Sequence, residues 1–187
     1  MKNKIKIALT LIVVLFGLLI IVSTIQAAAR TPKVSKIYVV QIRGTDIGEM
    51  RMVPDIDGDG KDDEANCFDV ELVDLVTNKV IGTATDCLAN VTMVGDGIAL
   101  IGTTYFNFEE GTIVSRGRTT VQPVTHDYKG ITHISGASPS GENDILNGTG
   151  IFEGATGSVR LSGLVDMSKA MSENKMTFDC IFVITLD

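Results

Sequence analysis

The residues in this sequence best suited to chemistry are carboxylates. Asp55, Asp57 and Asp59, followed by Gly60, open the stretch DIDGDGKDDE, and their alternate spacing matches the start of an EF-hand-type calcium loop. In such a loop alternate carboxylates converge on a hard cation and the glycine permits the sharp turn. Asp63 falls at the ninth position and completes the candidate set Asp55, Asp57, Asp59 and Asp63. The twelfth position is Asn66, where calcium loops supply a bidentate Glu, and the flanks have strand character. The expectation is a weak calcium site, with a plain solvated acidic loop as the alternative. No other cofactor is expected.

The remaining polar signals are weaker. His126 and His133 flank a glycine-containing turn in THDYKGITHISG at a separation that suits no common zinc motif, so they read as surface or structural histidines. Arg116 and Arg118 share a strand face with Thr120 and Gln122, which reads as a solvent-facing polar stripe. Asn90-Val-Thr and Asn147-Gly-Thr match the glycosylation sequon, a short pattern that arises easily by chance. No Ser-His-Asp arrangement, phosphate-binding glycine loop or paired-cysteine zinc motif occurs in the sequence. It therefore designates no catalytic residue.

Three cysteines allow one disulfide. The segment NCFDVELVDLVTNKVIGTATDCL reads as a hairpin centred on Thr77, which sets Cys67 opposite Cys87. Parity agrees, because Cys67 falls with Asp69 and Glu71 and Cys87 with Thr83 and Thr85, on the polar face. The bond would close a loop of about twenty residues and stabilise by about 3 kcal/mol on the chain-entropy model. Cys180 alternates with Phe178 and Phe182 and is expected to be a buried core thiol.

These residues must be carried by strands. Residues 1–29 have the layout of an export signal: Lys2, Lys4 and Lys6, an apolar run from Ile7 to Val22, then Ala27 to Ala29 as a cleavage site. An uncleaved anchor is the alternative. Residues 30–187 then form one domain outside the cytoplasm, secreted or periplasmic, with no membrane contact once the leader is removed. The full chain carries a net charge of −7, and loss of three leader lysines takes it to −10, which disfavours nucleic acid and anionic lipid as partners. Nine β-pattern segments follow the leader, near 35–43, 66–75, 79–88, 98–108, 112–122, 131–137, 144–152, 158–166 and 175–186, with no convincing amphipathic helix. The last is the most regular: Met176, Phe178, Cys180, Phe182, Ile184 and Leu186 share one face. Ile181 and Val183 on the other face suggest a strand that is covered on both sides or meets a neighbouring subunit, as in a homo-oligomer. Hairpin spacing argues for an antiparallel barrel or sandwich, and clustered glycines of the kind that turn barrel corners favour the barrel.

Those glycines also carry a resemblance. In NGTGIFEGATGSVRLSG, Gly148, Gly150, Phe152, Gly154, Ala155 and Gly157 form a G-x-G-x-F-x-G-A-x-G pattern. It resembles the signature of the allene oxide cyclase and dirigent families, and FNFEEGTIVSRGRTTVQP and THISGAS resemble the strands that lead into it in bacterial members. The resemblance covers the C-terminal half of the chain. It implies an all-β fold, an antiparallel eight-stranded β-barrel of lipocalin-like shape with an apolar interior, commonly oligomeric. The function it implies is binding of a small hydrophobic or aromatic molecule and dirigent-like guidance of its stereochemistry. A cyclase-like isomerase is the first alternative and a calcium-dependent structural module the second. The signature glycines specify fold, and no activity follows from them alone.

Overall fold

The computed structural model describes residues 35–123, 132–136 and 143–187, with backbone only at 132–136 and Asn143. The leader, residues 1–29, and His126 lie outside the described residues, and of His133 only the backbone is described.

Ten strands make up the described chain: β1 (Lys36–Ile47), β2 (Glu49–Val53), β3 (Asp63–Asp74), β4 (Lys79–Val94), β5 (Gly97–Phe108), β6 (Gly111–Pro123), β7 (Thr132–Gly136), β8 (Asn143–Gly148), β9 (Gly157–Asp166) and β10 (Lys175–Leu186). A single α-helical turn, α1 (Ala170–Glu173), joins β9 to β10. Every pairing is antiparallel. β3 to β6 form a meander, β10 pairs both β9 and β1, and β1 returns to β3 through the pairs Val40↔Asp74 to Arg43↔Glu71. β7 and β8 lie one after the other between β6 and β9, so they fill one place. The pairings thus close a ring of eight strands. Closure satisfies backbone groups that an open sheet would leave at its edges.

The inner face of the ring is the main core. Phe68, Phe106, Ile42, Leu72, Ile113 and Ile184, from five different strands, are among its most buried side chains. Period-two alternation places them there, and the inner face of β10 is the one read from its sequence, Met176 to Ile184, all buried. Cys180 is buried among them, its Sγ 3.5 Å from the Leu164 carbonyl oxygen.

One end of the ring is plugged by the glycine-rich segment. The sequence pattern extends a strand to Phe152, but β8 ends at Gly148 and Gly150–Phe152 turn as a 3-10 helix. Gly150 has φ +61°, where a side chain is strained, and a Cβ there would collide with the Glu110 carbonyl oxygen. At Gly148 a Cβ would strike the Phe152 carbonyl. This turn drives Phe152 inward, its ring centroid 5.7 Å from Tyr38 and 5.2 Å from Phe108. Close backbone approach, rather than curling of a continuous strand, accounts for both glycines.

Outside the ring lies a second, smaller core of Val53, Ala65, Cys67, Cys87 and Ala89, with Ile56 and Tyr105 packed on it. Cys67 and Cys87 stand at disulfide distance, Sγ–Sγ 2.06 Å, directly paired between β3 and β4. They lie on the outer face, as parity requires, yet both are buried, in one cluster with Val53 of β2 and Ile56 of the loop after it. β2 has no counterpart in the strand reading. It continues the path of β1 beyond Gly48, which is held by its N–H bonding to the Asn174 carbonyl at 2.7 Å.

Candidate functional site

Two places gather polar side chains. The first is inside the ring. β5 and β6 set Gly102 opposite Gly117 on the inner face, and no side chain fills the space in front of that pair. The next inward pair is Thr104 with Ser115, and Leu100 pairs Thr119 on the other side of the glycines. From β4, Asp86 projects to the same space, and its Oδ1 accepts a bond from the Thr104 hydroxyl at 2.7 Å. Phe178, Cys180 and Phe182 of β10 line the same space. The result is a cavity of about 40 Å³, apolar except for Asp86, Thr104, Ser115 and Thr119, all of them buried.

Asp86 is the unusual member. It is 8% exposed, and burial pushes its carboxyl up to about 6, the Thr104 bond opposing the shift only in part. None of the described residues lining the cavity is a Lys, Arg or His, and Thr104 is the one described side chain that bonds the carboxylate. Leu88, Leu100, Val165, Met167 and Met176 continue the cavity wall. Sequence reasoning passed over Asp86, although the parity that put Cys87 on the outer face also put Asp86 on the inner one.

The second place is the acidic loop on the outer face. Side-chain oxygens of Asp55, Asp57 and Asp63 lie within 4.8 Å of one another. The backbone builds this arrangement: Asp55 accepts from the N–H groups of Gly58 at 2.6 Å and Gly60 at 2.8 Å, and Asp63 accepts from Ile56 N–H at 2.5 Å. The Gly60 and Gly58 donors hold the Asp55 carboxyl below its ordinary range. Asp59 departs from the expected set. It accepts from Lys61 N–H at 2.8 Å and faces the Lys61 ammonium at 3.4 Å, so its carboxylate is turned along the loop. Asn66, at the twelfth position, is engaged elsewhere, its Nδ2 donating to Asn174 Oδ1 at 2.8 Å.

Arg116 fixes the loop to the ring. Its Nη1 donates to the Asp55 carbonyl at 2.6 Å, its Nη2 to the Pro54 carbonyl, and its Nε to Thr103 Oγ1 at 3.2 Å. The reading of a solvent-facing stripe is therefore corrected at Arg116 alone: Arg118, Thr120 and Gln122 are exposed, while the loop covers the outer face at Arg116. The signature residues Gly148, Gly150, Phe152, Gly154, Ala155 and Gly157 belong to neither place; they build the plugged end. Asn90 and Asn147 are both exposed.

No protein-family model matches this sequence, and no curated protein is similar enough to stand as a relative. Among the described residues no helix is long and apolar enough to cross a membrane. The Cys67–Cys87 pair is compatible with an oxidising compartment.

Proposed function

We propose that the chain is an exported protein whose ring of strands is a lipocalin-like β-barrel of the allene oxide cyclase and dirigent type, holding a small hydrophobic or aromatic molecule inside. The observation that carries this reading is the inward polar set of Asp86, Thr104, Ser115 and Thr119 in an otherwise apolar cavity. Packing alone gives no reason to bury a carboxylate there, whereas ligand sites combine apolar walls with a few convergent polar groups. At about 40 Å³ the cavity has room for roughly two or three waters, so a larger ligand must displace side chains. Met167 and Met176, unbranched and adaptable, are the groups to yield. Asp86 is also the inward carboxylate that the cyclase-like isomerase alternative requires. The outer face of β1 and β10 supports a homo-oligomer, since Ile37 is 59% and Ile181 37% exposed there.

Native mass spectrometry of the protein from its own host tests both parts. We expect the mature polypeptide, cleaved after the leader, as an oligomer carrying an apolar small molecule. A bare polypeptide that no apolar compound stabilises against heat would overturn the ligand reading.

Convergence of three carboxylates favours a second activity, weak calcium binding by Asp55, Asp57 and Asp63, with backbone carbonyls and water completing the six to eight oxygens such an ion takes. Calcium at millimolar concentration should raise the melting temperature of the native protein, and Asp57→Ala with Asp63→Ala should abolish that rise. An unchanged calcium response in the double variant would remove the loop as the site.

A further inference from the structure

On the ligand-holding reading proposed above, the interior carboxylate narrows the ligand class. Asp86 offers two oxygens, of which Oδ1 is bonded by Thr104, and among the described residues no protein donor reaches the other. An ionised carboxylate only accepts hydrogen bonds, so the missing partner must be a donor. It sits in a space without any described cation: across from it β10 presents Phe178, Cys180 and Phe182, β9 presents Val159, Leu161 and Val165, and β6 presents Ser115, Gly117 and Thr119. The Cys180 thiol is the one other titratable group among these.

We propose that the cavity binds a primary amine as its ammonium form, with Asp86 as the counter-ion and the apolar tail running along Leu88, Leu100 and Met176. A buried charge is costly until it is paired, so a cationic donor gains more here than an alcohol or a phenol. The raised Asp86 carboxyl records that cost in the ligand-free protein. Size selects among cations. The free space of about 40 Å³ takes a compact ammonium with the least displacement of side chains, whereas the head of a trimethylated amine or a guanidinium demands more. Hydroxyls of Thr104, Ser115 and Thr119 supply further acceptors for an ammonium's three protons, and the phenyl rings of Phe178 and Phe182 add cation–π attraction. Register orients the tail: Leu88 follows Asp86 along β4 and pairs Gly102, while Leu100 lies two residues further along β5 in the same direction.

Calorimetric titration at neutral pH with n-hexylamine, 1-hexanol and hexyltrimethylammonium tests the assignment. The native protein should bind the primary amine at least tenfold more tightly than the alcohol and should not bind the trimethylated amine. In Asp86→Asn the advantage of the amine over hexanol should vanish. Equal affinity for amine and alcohol, tight binding of the trimethylated amine, or a preference that survives Asp86→Asn would overturn the amine assignment and leave the apolar ligand reading standing. Binding of none of the three would overturn both. Should the variant not fold, carbon-13 titration of the Asp86 carboxyl in the native protein decides. Hexylamine should lower its midpoint by a unit or more and hexanol should not; an unmoved midpoint with saturating amine overturns the proposal.

Discussion

At the scale of single residues, the ionisation of Asp86 sets a measurable pH dependence. Its folded pKa of about 6 lies above the ordinary value of 3.8, so the unfolded chain is the better acid at this site. The stability it permits is complete below the ordinary value and is lost as pH rises from there through 6. The shift corresponds to about 3 kcal/mol. Asp86→Asn carries no charge at any pH and escapes this loss. It should therefore exceed the native protein in stability by up to about 3 kcal/mol near neutrality, and show little or no advantage near pH 4. Groups held below their ordinary range, such as Asp69 beside Arg51 or Asp74 under Thr77, are common to both proteins and cancel in the difference. Denaturant unfolding of the pair at the two pH values measures it; an equal difference at both would mean that folding does not raise the Asp86 carboxyl. This residue was legible only through parity. Between Thr85 and Cys87 it must face inward, but an acidic residue beside a cysteine is more readily read as part of a polar face. Asp55, Asp57 and Asp63 were legible because their chemistry is written in consecutive spacing, while Asp59 shares the spacing and is diverted by Lys61, a contact that spacing does not encode.

Among the elements, the β3–β4 hairpin was legible down to its register. The symmetry about Thr77 that pairs Cys67 with Cys87 holds from Asn66↔Leu88 to Leu72↔Gly82, and a bulge after Leu72 then shifts the pairs nearest the turn. Register followed from alternation because one face is buried throughout, and a one-residue slip would expose the whole set. β2 was not legible. Glu49–Val53 alternates over only a few residues and its apolar Met50 and Met52 are exposed, since its role is to pair with β3 and bring Val53 to the small outer core rather than to line the ring. The loop after it changed the meaning of β6. On an uncovered strand Arg116 would stand in water beside Arg118; beneath the loop it donates to two main-chain carbonyls, replacing donors the loop cannot supply itself. What a strand's outer face does therefore depended on a segment that carries no strand signal of its own.

For the molecule as a whole, antiparallel β architecture could be read from short alternating segments, whereas closure was indicated only by clustered glycines and by the family resemblance, not by the strand pairs that make it. Closure rests on contacts between distant parts of the chain: β1 pairs β10 from Lys36↔Leu186 to Ile47↔Lys175, and the same β1 reaches β3 over only four pairs. β10 is the decisive element because it bonds β1 on one side and β9 on the other, and its inner face supplies Met176, Phe178, Cys180, Phe182 and Ile184 to the core. A chain ending at Asn174 would leave two long strand edges unpaired and open the wall across from Asp86. Such a chain should show no cooperative thermal transition and should aggregate on heating, whereas the single-strand edits that spare β10 should only shift the midpoint. Circular dichroism during heating separates the two cases. A sigmoidal melt in the truncated chain would mean that the meander β3 to β6, with its disulfide and outer core, folds without the ring, and the interior cavity would then be a consequence of closure rather than part of the folding unit.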